Sequence, residues 1–321
     1  MGVDAFPMDC DGPATQNSGG TAMPMLHRPE GPAPEDAVLS RRGLAGALVG
    51  AAAFAGYAPA ALAQAAQPIL TDSAGLVISE VTYPAPDGFD LPAYVARPEG
   101  DGPFPVVIVV SEIFGLHAWI MDICRRLAKA GYAAVAPAFF VRVADPAPLT
   151  DFAEIQRIVA AAGYEQVMGD IAATLAWTDQ QLWADSDSVG ITGFCWGGKV
   201  VWQAMARFAA LDAGVAWYGR LAPAANASDD QRAAGAPWPV DVAGDLKGPV
   251  LGLYGGQDRG IPLDTVEAMR AALGRAGATD SDIVVYPDSQ HGFLADYRAA
   301  YDPVASPDAW ARLLAHFTAR L

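Results

Sequence analysis

The hexapeptide Gly193-Phe194-Cys195-Trp196-Gly197-Gly198 constrains this chain more than any other stretch. Its form, glycine-x-nucleophile-x-glycine, is that of a sharp turn between a strand and a helix that lifts a reactive side chain above a sheet. Small residues at Gly193 and Gly197 let strand and helix approach closely around a strained residue. The flanks fit, because Ser188 to Thr192 is a short β-branched apolar run and Lys199 to Ala206 reads as a helix. On the hexapeptide alone, a buried structural cysteine beside a glycine-rich turn stands as the alternative.

The rest of the chain supplies a sheet for such a turn. Val77 to Tyr83 and Leu91 to Arg97 alternate apolar and polar around Pro86-Asp87-Gly88, which predicts an antiparallel hairpin at a sheet edge. Pro105 to Val110 is continuously apolar, as expected for a strand covered on both faces. Helix 116–130, strand 132–137, helices near 151–162 and 164–183, strand 188–192 and helix 198–211 then alternate. The runs Val215 to Tyr218, Val250 to Tyr254 and Ile283 to Tyr286 continue the order, with a helix from Asp264 to Arg275 before the last. An amphipathic helix from about Pro307 to Leu321 closes the chain. Repeated β-α units of this kind predict an α/β fold, mainly a parallel sheet with helices on both faces and an N-terminal antiparallel hairpin. Residues 220–247 interrupt the alternation and read as a surface excursion near the site.

The N-terminus reads as an address. Ser40-Arg41-Arg42-Gly43-Leu44 precedes an uncharged run to Ala66, and Ala61-Leu62-Ala63 before Gln64 fits the small-residue rule for cleavage. We expect 1–63 to be a leader with a twin-arginine signal, read by the twin-arginine export machinery, and 64–321 to be one periplasmic or secreted domain. A transmembrane anchor is the alternative, but the run is dominated by alanine and glycine, so no stable membrane insertion is expected after cleavage. Removal of 1–63 leaves 258 residues, enough for one large core. Of the formal charge of −16, the six acidic and three basic residues of the leader take part, leaving −13. That balance argues against nucleic acid, whose binding needs clustered Lys and Arg.

Two cysteines, Cys124 and Cys195, remain after cleavage, and an oxidising compartment permits a disulfide between them. Cys124 shares an apolar helical face with Ile120, Ile123 and Leu127, which favours a packed core thiol instead. An exposed nucleophilic thiol needs a base and a group that orients the base. Asp258 follows the apolar run ending at Tyr254, and His291 follows the one ending at Tyr286, each in a glycine-containing loop. Aspartate in such a turn is commonly a turn former, and His117 and His316 are the other histidines of the mature chain. Only His291 stands in the order nucleophile, acid, histidine that the α/β-hydrolase fold imposes. The oxyanion of acyl transfer needs two N–H donors. Trp196 N–H, at the start of the helix, is one, and Ile113, in the loop after the first parallel strand, is the choice for the second. Glu112 beside it is unusual, since a carboxylate opposes developing negative charge; it is read either as a partner of the Cys195 thiol or as a helix cap.

Several stretches together resemble the dienelactone hydrolase family, also called carboxymethylenebutenolidases, over roughly residues 77–320. They are S-E-I-F-G-L from Ser111, G-Y-A-A-V-A-P from Gly131, G-F-C-W-G-G from Gly193, W-Y-G from Trp217, P-V-L-G-L-Y-G-G-Q-D from Pro249 and H-G-F-L-A-D-Y-R from His291. The resemblance implies a Cys195, Asp258, His291 triad, with Glu112 holding the resting thiol and taking its proton when substrate binds. It further implies arginines on a substrate carboxylate: Arg142 falls where one is expected, and Ala295 occupies the place of another, with Arg298 the nearest substitute. Phe114 and Tyr218 are read as lining an acyl pocket with Phe139, Phe140 and Trp196.

These readings converge on an exported cysteine hydrolase that opens small-molecule lactones or cleaves small esters, with no metal or organic cofactor. A general esterase without lactone preference is the alternative within enzymes. A non-catalytic binding protein on the same fold is the alternative outside them.

Overall fold

A computed structural model of the chain describes residues 70–223 and 236–321. The expected leader with its twin-arginine pattern, and the middle of the 220–247 stretch, lie outside the described residues. The elements run β1 (Leu76–Pro84), β2 (Asp90–Pro98), β3 (Phe104–Val110), α1 (Ala118–Lys129), β4 (Ala133–Pro137), α2 (Phe152–Ala161) and α3 (Tyr164–Thr178). They continue with β5 (Ala184–Phe194), α4 (Trp196–Arg207), β6 (Ala213–Trp217), β7 (Val250–Gly255), α5 (Leu263–Ala276), β8 (Asp282–Tyr286) and α6 (Ala305–Thr318).

The eight strands form one sheet in the order β1-β2-β4-β3-β5-β6-β7-β8. The β1–β2 and β2–β4 pairs are antiparallel, and every pair from β4 to β8 is parallel. This is the α/β-hydrolase architecture, with the hairpin β1–β2 at one edge. The edge strand β1 alternates in burial along its length, whereas Val106 to Val110 of β3 are wholly buried. That contrast follows from the composition of each strand, one face of β1 being polar and β3 being apolar throughout.

Two boundaries differ from the sequence expectation for identifiable reasons. β5 starts at Ala184 because Phe104 and Pro105 pair with Ala184 and Asp185 before a register shift brings Val106 opposite Val189. The polar side chains of Asp185 to Ser188 carry no apolar signal, so only backbone pairing marks them as strand. α4 begins at Trp196, directly after the nucleophile position, and takes both glycines into its first turn. The turn is possible because a side chain at Gly198 would meet Trp217 O at 2.4 Å, so helix and sheet touch there through backbone alone. Cys124 is fully buried in α1, burial raises its pKa far above the ordinary thiol value, and both it and Cys195 are free thiols.

Candidate active site

The carboxyl ends of the central parallel strands bring the site together, as open parallel sheets do in general. β5 ends at Phe194, and Cys195 follows with φ 56° and ψ −112°. A non-glycine residue held in such a conformation costs about 1–3 kcal/mol, so neighbouring contacts must impose it. They are visible: Cys195 N–H donates to Trp217 O at 3.0 Å, and Gly198 N–H donates to Cys195 O at 3.0 Å. The result is a thiol at the positive end of a twelve-residue helix.

Asp258 comes from the turn after β7 and His291 from the turn after β8. Asp258 Oδ1 accepts Gly260 N–H at 2.8 Å and Ile261 N–H at 3.2 Å, which fixes the carboxylate plane. Its Oδ2 accepts from His291 Nδ1 at 2.7 Å. The Cys195 side chain acts electrostatically on the same imidazole. Burial opposes charging His291, but the charges of Asp258 and Cys195 outweigh it and raise its pKa to about 10. Asp258 therefore orients His291 by a hydrogen bond, and His291 is electrostatically coupled to Cys195, with the polarity of an activated nucleophile.

Glu112 and Ile113 stand in the loop after β3, where both are buried. Glu112 Oε1 accepts from His117 Nε2 at 2.6 Å and from Tyr297 OH at 3.0 Å. Arg298 donates to Tyr297 OH at 2.7 Å, and its guanidinium lies 4.7 Å from the Phe114 ring centroid. Burial pushes the Glu112 carboxyl up, yet His117 and Arg298 together hold it below its ordinary value. Glu112 is a buried carboxylate whose Oε2 has no hydrogen-bond partner among the described residues. Glu112 Oε1 is thus engaged by His117 and Tyr297, while Glu112 and Cys195 bound the same small cavity.

Two cavities meet at Cys195. One, of about 20 Å³, is bounded by Glu112, Ile113, Phe114, Tyr218, His291 and Arg298 among others. The other, of about 350 Å³, is bounded by Cys195, Trp196, Tyr164, Lys199, Gln203, Arg220 and Trp238 among others. Tyr218 packs edge-on to His291 with 5.1 Å between ring centroids, and it too has positive φ, at 36°. Positive φ thus falls at Cys195, which bounds both cavities, and at Tyr218, which bounds the small one.

Arg142 corrects an expectation. Its guanidinium is held bidentately by Asp170 at 2.7 and 2.8 Å and by Asp87 at 2.8 and 3.0 Å, and it bounds neither cavity. Asp170 is fully buried, so Arg142 supplies a counter-charge that α3 requires rather than a free cation for substrate. Arg298 is likewise committed to Tyr297 and to the field of Glu112. The residues that sequence reasoning missed are His117 and Tyr297, which position Glu112, and Lys199, Arg220 and Trp238 in the large cavity. Lys199 had a readable signal, since it follows Cys195 by four residues on the elbow helix and so lies one turn from it.

Comparison with known proteins follows this geometry. The chain matches the Dienelactone hydrolase family over residues 91–321. It is 47% identical over 260 residues to a Methylorubrum extorquens protein named "Putative carboxymethylenebutenolidase", covering 80% of this chain and 87% of that one. An Escherichia coli K12 protein of the same name is 44% identical over 267 residues, covering 82% of this chain and 94% of that one. Among solved structures, a Klebsiella pneumoniae protein titled as a dienelactone hydrolase of that same provisional kind superposes with a TM-score of 0.70 at 44% identity. The match covers 76% of this chain and 98% of that one.

Proposed function

Because the chain belongs to the dienelactone hydrolase family, we propose that it is a hydrolase of small carboxylic esters and lactones working through Cys195, His291 and Asp258. The observation that carries this reading is the 2.7 Å bond from His291 to Asp258, with the imidazole coupled electrostatically to a thiol held at positive φ on a helix N-terminus. Cys195 Sγ attacks the substrate carbonyl carbon and forms a tetrahedral oxyanion. Trp196 N–H has no intrahelical acceptor, being first in α4, and with Ile113 N–H it stabilises that oxyanion. Collapse expels the alcohol, which takes its proton from His291, and leaves a thioester on Cys195. His291 then removes a proton from water, which adds to the thioester and releases the acid with the thiol regenerated. Glu112, with Oε2 unpartnered beside the nucleophile, serves as a second proton acceptor for the thiol.

The sign of the pH response follows from His291. Its pKa, raised from 6.5 to about 10, keeps the imidazolium protonated through neutral pH, and the proton is lost as pH rises through about 10. Leaving-group protonation needs that proton, so kcat/KM for small esters is expected to hold across neutral pH and to fall with a midpoint near the raised value. The profile is measured on residues 64–321 with esters and lactones of equal size. No turnover of either class, or a falling limb centred near 6.5, contradicts the assignment.

The commitment of Arg142 to Asp87 and Asp170 favours a second reading, a general esterase without lactone preference. Equal kcat/KM for lactones and matched open-chain esters supports it. We further propose that the enzyme is exported through Arg41 and Arg42 and works in the periplasm or outside the cell. Fractionation of cells expressing the native chain and an Arg41→Lys, Arg42→Lys chain tests this: a native chain that stays in the cytoplasm ends the proposal.

A further inference from the structure

Among the described residues that bound the large cavity, Lys199 carries the only primary amine, and it shares that cavity with Cys195. The two residues stand four apart, and Lys199 N–H lies 3.4 Å from Cys195 O, so one helical turn separates them. Long side chains on a helix lean toward its N-terminus, which on α4 is the end that carries the thiol. The Lys199 ammonium rests over the Trp238 ring, 3.9 Å from its centroid. A single cation–π contact of this kind is a weak tether that a four-carbon stem can leave. Burial, helped by Arg220 and opposed by Asp241, lowers the pKa of Lys199 to about 8, so a sizeable share of the amine is free base in mildly alkaline solution. A desolvated, unprotonated lysine is a nucleophile.

The proposed reaction itself supplies the electrophile. Cys195 bounds both cavities, and the small one, of about 20 Å³, has room for a leaving atom or one water. The acyl chain of a thioester on Sγ therefore occupies the large one, of about 350 Å³. Once the alcohol has left, the thioester carbonyl has two nucleophiles within reach: water activated by His291, and the amine of Lys199.

We propose that Lys199 is an internal acyl acceptor, to which a small share of the carboxylic acyl groups formed on Cys195 passes instead of to water. The Nζ lone pair attacks the thioester carbonyl carbon and a C–N bond forms. The C–S bond breaks with its electron pair going to sulfur, and the proton shed by nitrogen returns to Sγ. The products are an amide on Lys199 and the free Cys195 thiol, with no oxidant or cofactor consumed. Transfer is slow beside hydrolysis, because at neutral pH most of the amine is protonated and seated on Trp238, so a single turnover leaves no trace of it. The amide outlasts the thioester, so the mark accumulates over many turnovers. The proposal rests on the assignment of Cys195 as nucleophile.

The test incubates the full chain with 4-nitrophenyl pentanoate in mildly alkaline buffer through many turnovers. One portion is then treated with neutral hydroxylamine, which removes thioesters and spares amides, and fragment mass spectra locate the acyl group in both portions. The native chain is expected to carry a hydroxylamine-resistant pentanoyl group on Lys199, at least about tenfold reduced by Cys195→Ala because the intramolecular route is gone. Lys199→Arg and Lys199→Met are each expected to abolish the resistant group at this position while the thioester on Cys195 still forms. A thioester on Cys195 with Lys199 unmodified overturns the transfer and leaves the nucleophile assignment standing. Equal acylation of Lys199 in the Cys195→Ala chain also overturns it, since the ester then reacts with lysine directly. Hydrolysis with neither residue acylated overturns both the transfer and the assignment beneath it.

Discussion

Cys195→Ala is expected to lower kcat/KM for a small aryl ester by at least about four orders of magnitude while the fold is retained. Removal of a triad nucleophile costs roughly 10⁶-fold in kcat in a well-studied serine case, and what remains comes from the oxyanion donors and binding. In this protein the loss follows from the site: His291 is oriented by Asp258 at 2.7 Å and is electrostatically coupled to Cys195. Without sulfur, nothing in that chain can form the covalent intermediate. The fold survives because the contacts that impose the turn are backbone ones, Cys195 N–H to Trp217 O and Gly198 N–H to Cys195 O, and alanine preserves both. Ester turnover and near-ultraviolet circular dichroism, measured on the same preparation, check the two halves of this expectation. Retained turnover would remove Cys195 from the mechanism.

Gly197→Ala is expected to damage the fold itself. A Cβ at this position would stand 2.4 Å from Val110 O and 2.6 Å from Ser111 O, both backbone atoms at the end of β3. Neither atom can swing aside as a side-chain end does, so β3 and α4 must separate. Overpacking of a tight core costs about 1–3 kcal/mol, and a clash with paired backbone belongs at or beyond the upper end of that range. For a domain of this size about 3 kcal/mol lowers Tm by roughly 6–12 °C. Gly274 provides the contrast, since it lies in α5 with no atom within 4 Å of an added Cβ. There the alanine variant is expected to gain a few tenths of a kcal/mol or more from helix propensity. Thermal unfolding of both variants is the measurement; equal and small shifts would contradict the close approach at Gly197.

How far the sequence discloses this molecule depends on whether a signal is local. The elbow is legible because its glycines, strand and helix are contiguous, and the sheet is legible because runs such as Val106 to Val110 have no polar face. Asp258 and His291 stand at strand ends in a fixed chain order, and the fold converts that order into proximity. Arg142 shows where local reasoning stops. Its partners Asp87 and Asp170 lie 55 and 28 residues away, and only tertiary packing reveals that its charge is already engaged. Glu112 is an intermediate case: its place beside the site is visible from the loop after β3, but its bonds to His117 and Tyr297 are not, the second lying 185 residues away. Lys199 and Arg220 are separated by a strand and meet only across Trp238, so the basic wall of the large cavity emerges from the fold alone.

The account as a whole turns on a thioester at Cys195. Rapid acid quenching during turnover of an activated aryl ester, followed by peptide mass spectrometry, reads it directly. The account predicts the acyl mass on the peptide containing Cys195, increased in amount when His291 is replaced by alanine and deacylation slows. An acyl group on any other residue, or steady hydrolysis with Cys195 unmodified at every quench time, would contradict it.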